Sequence, residues 1–164
     1  MANTARSTRQ SDAAMTNTVE IQAELVYRDP KAALDWLGRA FGFEPRLIIT
    51  GSDGKVVFAQ LACGDQEIHL GTEETERHRA PASIGGLNTQ RVMIRFSAPI
   101  DAHHARAVAA GAKILRPLRQ EFYGDLTYMA EDLEGHLWVF AQRDAAPPGP
   151  PPEGWHIKIS RPEA

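Results

Sequence analysis

The first half of the chain alternates apolar and polar positions in a way that predicts a strand followed by a helix. Within residues 19–27, VEIQAELVY, every second residue is apolar, which is typical of a half-buried strand. The polar residues of this strand are Glu20, Gln22 and Glu24. Asp29 and Pro30 then predict a helix start, because a capping aspartate followed by proline favours the first turn, and Gly42 predicts its end.

Three further strands complete this first unit. They are predicted at residues 44–50, 55–63 and 66–70, where apolar side chains recur between short polar segments. The connections GSDG and CGDQ are short and contain glycine, as hairpin turns require. A polar loop over residues 72–89 separates this unit from the rest of the chain.

The same order of elements begins again at residue 90. In the segment QRVMIRF, apolar residues alternate with Arg91, Met93 and Arg95, and a helix follows that ends at Gly111. Further strands are predicted at residues 113–116, 126–131 and 136–142. Both halves therefore read β-α-β-β-β, which predicts an α+β fold of two tandem modules, at about 19–71 and about 90–143.

The two ends of the chain have different compositions from the predicted single domain at residues 19–143. Residues 1–18 are polar and are expected to form a disordered leader. The tail, residues 144–164, begins with a segment that holds five of the eleven prolines, so it is expected to be extended.

Charge and composition exclude several functions. A net charge of −3 lacks the basic excess that a nucleic-acid binder needs, and no apolar run is long enough for a membrane span. The single cysteine, Cys63, has apolar neighbours and no internal disulfide partner, which favours a reducing, cytoplasmic location. No phosphate loop, Ser-His-Asp set or Cys-His pair indicates covalent catalysis.

Two segments resemble the vicinal oxygen chelate superfamily, which includes glyoxalase I, bleomycin-resistance proteins and extradiol dioxygenases. They are YRDPKAALDWLGRAFGFE in the first half, and AAGAKIL with YGDLTYMAEDLEGHLWVF in the second. The resemblance covers residues 19–143 and implies tandem modules that form a curved mixed sheet around a cleft. It also implies a homodimer, with clefts completed between modules or subunits. Function does not follow from the fold, because members include lyases, isomerases, dioxygenases and binders without catalysis.

The resemblance implies where a divalent metal would be held. Metal enzymes of this superfamily use His, Gln and Glu side chains from the first and last strands of each module. Gln22 matches the ligand position of the first strand, and Glu24 faces the cleft with it. Aligning EIHL with LWVF puts His69 in the cleft of the same module, so this module offers acceptable ligands.

The second module departs from this pattern. The position that corresponds to Gln22 is Arg91 if the apolar residues of the strand pack beneath the helix, or Gln90 if the register slips by one. Arginine stays protonated and has no free lone pair for a cation. Val139 occupies the position where metal enzymes place a glutamate.

Two interpretations follow from the resemblance. The leading one is a small-molecule-binding protein without a complete metal site and without a cofactor, whose cleft is lined by the residues Gln22, Glu24, His69, Arg91 and Val139. The alternative is a metal-dependent lyase or isomerase of the glyoxalase I type, with Ni²⁺ or Zn²⁺ held by the residues Gln22, His69, Gln90 and Glu24. Whether the protein is an enzyme stays open between them.

Several side chains have both a structural and a functional interpretation. Arg91 is expected to pair with Glu20 or Glu24, or else to hold an anionic group such as a carboxylate. Tyr123 and Tyr128 are candidates for an aromatic wall with a hydroxyl, although Tyr128 fits the core equally well.

Three histidines of the second half, unlike His69, are interpreted as structural or as surface residues. His136, in DLEGHLWVF, is expected to bond turn backbone while Trp138 anchors its strand in the core, because motifs built on a glycine turn usually encode geometry. His103 and His104 are neighbours on the second helix and are expected at the surface.

Overall fold

A computed structural model of the chain describes residues 20–158, so the predicted leader at residues 1–18 lies outside the described residues. The elements of the first module are β1 Glu24–Tyr27, α1 Pro30–Phe41, β2 Glu44–Thr50, β3 Val56–Cys63 and β4 Gln66–Thr72. A short 3₁₀ helix, Pro81–Ile84, follows in the connecting loop. Those of the second module are β5 Arg91–Phe96, α2 Asp101–Ala109, β6 Lys113–Gln120, β7 Leu126–Glu131 and β8 Leu137–Gln142.

Each module folds as a four-stranded mixed sheet. The strand orders are β1-β4-β3-β2 and β5-β8-β7-β6, with the first pair of each sheet parallel and the others antiparallel. The predicted tandem β-α-β-β-β arrangement is therefore confirmed. The strand β6 runs four residues further than predicted, to Gln120, because register shifts on either side of Arg116 let pairing with β7 continue past Pro117.

The predicted ends of the first helix are present. The Asp29 side chain accepts a hydrogen bond from the Ala32 backbone N–H at 3.0 Å, which satisfies one of the free donors of the first turn. Gly42 has φ of 76°, a left-handed conformation that favours glycine, and its N–H donates to the Gly38 carbonyl.

The two modules share one aromatic core. The ring of Phe41, at the end of α1, lies 4.7 Å from that of Phe140 and 5.4 Å from that of Trp138, both on β8. The indole N–H of Trp36 donates to the Ala110 carbonyl at 3.0 Å, which joins α1 to the end of α2. Both tryptophans are buried, as predicted for Trp138.

His103 belongs to this core, so its predicted surface position is wrong. Its side chain is 9% exposed, and its Nδ1 lies 2.7 Å from the hydroxyl of Tyr128. The reason is its place on α2: His103 and Ala107 are four residues apart and together form the buried face of the helix. Burial lowers the pKa of His103 to about 4.

The segment DLEGHLWVF fastens the second module to the first. Asp132 is 6% exposed, and its carboxylate accepts hydrogen bonds from the Tyr27 hydroxyl at 2.6 Å and the Trp138 indole at 3.0 Å. It also accepts from the backbone N–H groups of Glu134 and His136, each at 3.0 Å. One buried carboxylate thus organises the turn and reaches β1.

Glu134 and His136 add contacts to the same junction. The Glu134 carboxylate accepts hydrogen bonds from the backbone N–H groups of Arg28 and Asp29, at 2.9 and 3.0 Å. The ring of His136 lies 2.8 Å from the carbonyl oxygen of Val26. His136 was expected to bond the backbone of its own turn. Its ring instead contacts the backbone of β1, so it has a structural contact with a different partner.

Candidate ligand-binding site

Each sheet buries one face against the helices and leaves the other face away from the core. We call the uncovered sides the first open face, on β1 to β4, and the second open face, on β5 to β8. Successive residues of a strand point to opposite faces, so the residues that alternate with the core residues lie on these open faces. Within residues 20–158, no helix is long and apolar enough to cross a membrane.

The first open face carries a polar cluster around His69. The parallel register of β1 and β4 places Glu24 directly beside His69. The ring of His69 lies 3.4 Å from the Gln60 amide nitrogen and packs edge-on against Phe58 at 5.1 Å. The predicted cleft residues Glu24 and His69 are therefore neighbours on one face, and Gln60 joins them.

Glu24 also contacts His78, a residue that periodicity could not identify because it lies in the loop after β4. The His78 Nε2 is 3.7 Å from a carboxylate oxygen of Glu24. Gly71 leaves room for this arrangement, since a Cβ there would lie 2.6 Å from the same oxygen. The carboxylate thus lies across β4 beneath the loop.

A cleft of about 750 Å³ separates the edge strands β1 and β5. Gln22, Glu24 and Arg91 line it, as does His78 from the loop above. The lining also includes Gln90. His69, Val139 and Tyr128 are not among the lining residues, so the structure does not bring all the predicted site residues into one cleft.

The remaining predicted residues are placed by the pairing within the second sheet. Val139 lies between Met93 on β5 and Met129 on β7 and is 1% exposed, so it forms the floor of the second open face. Tyr128 points the other way and is fully buried. Its contact with His103 places it in the core, because it alternates with Thr127 and Met129, and it does not form an aromatic wall.

Arginines flank this apolar floor. Arg95 on β5 lies 2.7 Å from the carboxylate of Asp125. Arg119 on β6 donates two hydrogen bonds to Glu121, at 3.0 and 3.1 Å, and these bonds lower the pKa of that carboxyl group. Arg116 donates to the Thr127 hydroxyl at 3.2 Å. These cations are therefore already paired or hydrogen-bonded.

Arg91 differs from the other three arginines. Like Arg95 and Arg119 it is exposed, but unlike them it has no ion-pair partner among residues 20–158. The expected pair with Glu20 or Glu24 is absent from the described part of the chain, because Glu24 turns toward His78. The strand register places Arg91 on the open face two residues before Met93. It is thus an exposed cation at one end of an apolar floor.

Two tandem β-α-β-β-β modules, whose helices α1 and α2 contact each other on the core side and whose sheets each leave one face open, define the glyoxalase/bleomycin-resistance fold. The family model for the Glyoxalase/Bleomycin resistance protein/Dioxygenase superfamily matches residues 19–140, and the chain belongs to this superfamily. The crystal structure of TioX from Micromonospora sp. ML1 is 34% identical and has a TM-score of 0.63, covering 76% of this chain and 98% of that chain.

Two further similarities extend the comparison. A superfamily member from Sphaerobacter thermophilus DSM 20745 has a TM-score of 0.62 at 18% identity, covering 77% of this chain and 98% of that chain, which shows the fold alone. The uncharacterized protein Rv0887c of Mycobacterium tuberculosis is 28% identical over 144 residues, covering 84% of this chain and 83% of that protein.

The side chains on the paired parallel strands differ between the two modules. In the first module, Glu24 and His69 offer an oxygen and a nitrogen donor side by side. In the second, the equivalent neighbours are Met93 and Val139, and neither carries an oxygen or nitrogen donor. Within residues 20–158, no group of three or more His, Cys, Asp or Glu side chains is arranged to hold a metal ion.

Proposed function

We propose that this protein binds an anionic small molecule on the second open face and uses no resident metal to do so. The observation that carries the proposal is Arg91, a cation without an ion-pair partner in residues 20–158, next to the apolar floor of Met93 and Val139. A guanidinium matches the geometry of a carboxylate and binds it with two charge-assisted hydrogen bonds. The floor would bury the apolar body of the ligand.

The chemistry of the side chains supports the absence of a metal. A divalent cation in this fold needs oxygen or imidazole donors from both modules. Val139 replaces the glutamate expected at this position and is covered by its neighbours, and Met93 beside it offers only a weak thioether. The residues present therefore do not fit a divalent metal, and we favour binding over metal-dependent lyase or isomerase chemistry.

We propose that the protein acts as a cytoplasmic homodimer in which the first open face of one protomer lies against the second open face of its partner. Both faces expose large apolar side chains, among them Leu47, Ile49 and Met93. The first face carries Glu24 and the second carries arginines, so opposite charges would meet across such an interface. A two-fold dimer of this kind would enclose the ligand between two sheets.

Replacing Arg91 with glutamine is expected to weaken carboxylate binding by about tenfold or more, because a charge-assisted bidentate contact is lost. The probes are decanoate and its neutral analogue 1-decanol, measured by calorimetry on the full chain. We expect decanoate to bind more tightly than decanol, and the Arg91→Gln variant to lose that preference. Incubation with a chelator is expected to leave decanoate binding unchanged.

The matched control is Arg39→Gln, which removes an exposed arginine from α1, away from both open faces. It should bind both probes as the natural chain does. An Arg91→Gln variant that still prefers decanoate, or decanoate binding that disappears with chelator and returns with Ni²⁺ or Zn²⁺, would contradict the proposal.

A further inference from the structure

The proline-rich tail is fastened to one end of the second sheet. We call residues 144–155 the strap. The Gly149 N–H donates to the Phe122 carbonyl at 2.7 Å, and the Ala146 N–H donates to the Gly124 carbonyl at 3.1 Å. The Asp144 N–H donates to the Asp125 carboxylate at 3.3 Å. Three bonds from successive parts of the strap thus hold it along the turn between β6 and β7.

The strap lies directly on Gly124. This glycine has φ of 103°, and a Cβ there would lie 2.8 Å from the Ala146 carbonyl oxygen and 3.6 Å from the Pro148 Cγ. A glycine is therefore required at this position by both its conformation and the close approach of the strap. The superfamily match ends at residue 140, so the strap lies beyond the shared fold.

The strap brings a tryptophan to an aromatic group at the same turn. We call Phe122, Tyr123 and Trp155 the aromatic clamp. The ring of Phe122 packs edge-on against Tyr123 at 5.2 Å and against Trp155 at 6.0 Å. Trp155 is 62% exposed and Tyr123 is 38% exposed, so two large rings face outward around a partly buried third. Exposed aromatic groups of this kind are typical of binding sites.

The clamp lies at the far end of the arginine-bearing face. Tyr123 stands between Glu121 and Asp125 in the sequence, and these two carboxylates pair with Arg119 and Arg95 of the second open face. Burial raises the pKa of Tyr123, and the charges of Glu121 and Asp125 raise it further, which agrees with this position.

The distance along the face sets the size of a ligand that reaches both ends. Every second residue of β5 is exposed, and Arg91 and Arg95 are the first and last of these exposed residues. They are four residues apart, a separation that spans about 13 Å along a strand. The clamp lies at the Arg95 end, while Arg91 lies at the other. The apolar floor of Met93 and Val139 lies between the two ends.

We propose that the aromatic clamp binds a planar aromatic ring of a ligand whose anionic group is held by Arg91. The inference rests on the proposed function and names its ligand class: an elongated aromatic carboxylate of about 13 Å. Three rings are too small a patch for a stable protein interface, which buries about 800 Å² on each partner, whereas they fit one planar ring system. Trp155 is then a specificity-determining residue contributed by the strap.

The test compares pyrenebutyrate, an aromatic carboxylate, with decanoate, which has the same charge and no ring. In the full chain, we expect pyrenebutyrate to quench the emission of Trp155, because the other two tryptophans are buried. Trp155→Ala is expected to weaken pyrenebutyrate binding by about tenfold and to leave decanoate binding unchanged, and Trp155→Phe should restore most of the affinity.

A second pair of variants tests the role of the strap. Gly124→Ala is expected to displace the strap and weaken pyrenebutyrate binding, while Gly54→Ala, whose φ is 79° and whose Cβ would meet no atom within 4 Å, should bind normally. If Trp155→Ala binds pyrenebutyrate as the natural chain does, the proposed role of the aromatic clamp is wrong. Loss of decanoate binding in Arg91→Gln would still support the proposed anion site in that case. If Trp155→Ala instead changes the oligomeric state, the patch is a contact between copies, and the inference is overturned.

Discussion

Replacing Asp132 with alanine is expected to lower the free energy of unfolding by about 4 kcal/mol, because four donors lose a buried charged acceptor. Two of these donors, the Tyr27 hydroxyl and the Trp138 indole, are themselves fully buried. A loss of this size is a large part of the whole free energy of unfolding of a domain of this length. Urea denaturation followed by circular dichroism measures the effect.

Two variants set the scale for this result. Asp53→Ala removes an exposed aspartate whose carboxylate pairs with Lys55 across a hairpin turn, so it should leave the free energy of unfolding nearly unchanged. Tyr27→Phe removes one of the four donors to Asp132 and should cost about 1.5 kcal/mol. Equal losses in Asp132→Ala and Asp53→Ala would show that the buried carboxylate does not organise the junction.

The stability of the natural chain is expected to fall by about 2 kcal/mol as the pH decreases from 6.5 to 4, through His103. Burial lowers the folded pKa of this residue to about 4, below the usual value of 6.5, so the unfolded chain binds a proton more readily. The contribution is therefore complete above pH 6.5 and is lost as the pH falls toward 4. Partial screening by solvent makes the loss smaller than the full shift would give.

The His103→Gln variant separates this contribution from those of the carboxylates. It should be less stable than the natural chain at pH 7.5, because the Tyr128 hydroxyl and the Phe41 carbonyl lose their imidazole partner, and its stability should depend less on pH between 6.5 and 4. His156→Gln, at an exposed position near the end of the strap, should keep the pH dependence of the natural chain. An unchanged slope in His103→Gln would contradict the assignment.

The fold could be predicted because local patterns agree with the tertiary structure. The alternation in QRVMIRF predicted which residues of β5 face the core, and the helix caps at Asp29 and Gly42 predicted the ends of α1. These signals depend only on neighbours in the sequence. The order of elements, repeated in both halves, then indicated the two modules.

The site could be predicted only in part, because it depends on strand register and on loops. Gln22 was predicted to occupy the ligand position of the first strand, with Glu24 facing the same cleft, whereas the parallel pairing of β1 with β4 places Glu24 beside His69. That register depends on how the crossover helix α1 packs, which no local pattern encodes. His78 was missed for a related reason, since a loop residue has no period that indicates where it points.

The position of His103 shows how a local pattern can mislead. Two adjacent polar residues on a short helix suggest an exposed surface, yet His103 is buried and His104 is half-buried, with its ring packed edge-on against Tyr128 at 4.8 Å. His103 shares a face with Ala107 and finds two polar partners in the core, the Tyr128 hydroxyl and the Phe41 carbonyl. A buried polar residue with partners costs little free energy, and composition does not identify those partners.

The junction formed by residues 132–136 has a mechanical consequence. Hydrogen bonds to Tyr27, Val26, Arg28 and Asp29 would all have to break before one module could rotate away from the other. Within residues 20–158 these bonds leave no easily opened hinge between the two modules, which should move as one rigid block. In the proposed dimer, a ligand would enter when two rigid protomers slide or part, so the rate of entry would depend on how strongly the copies hold each other.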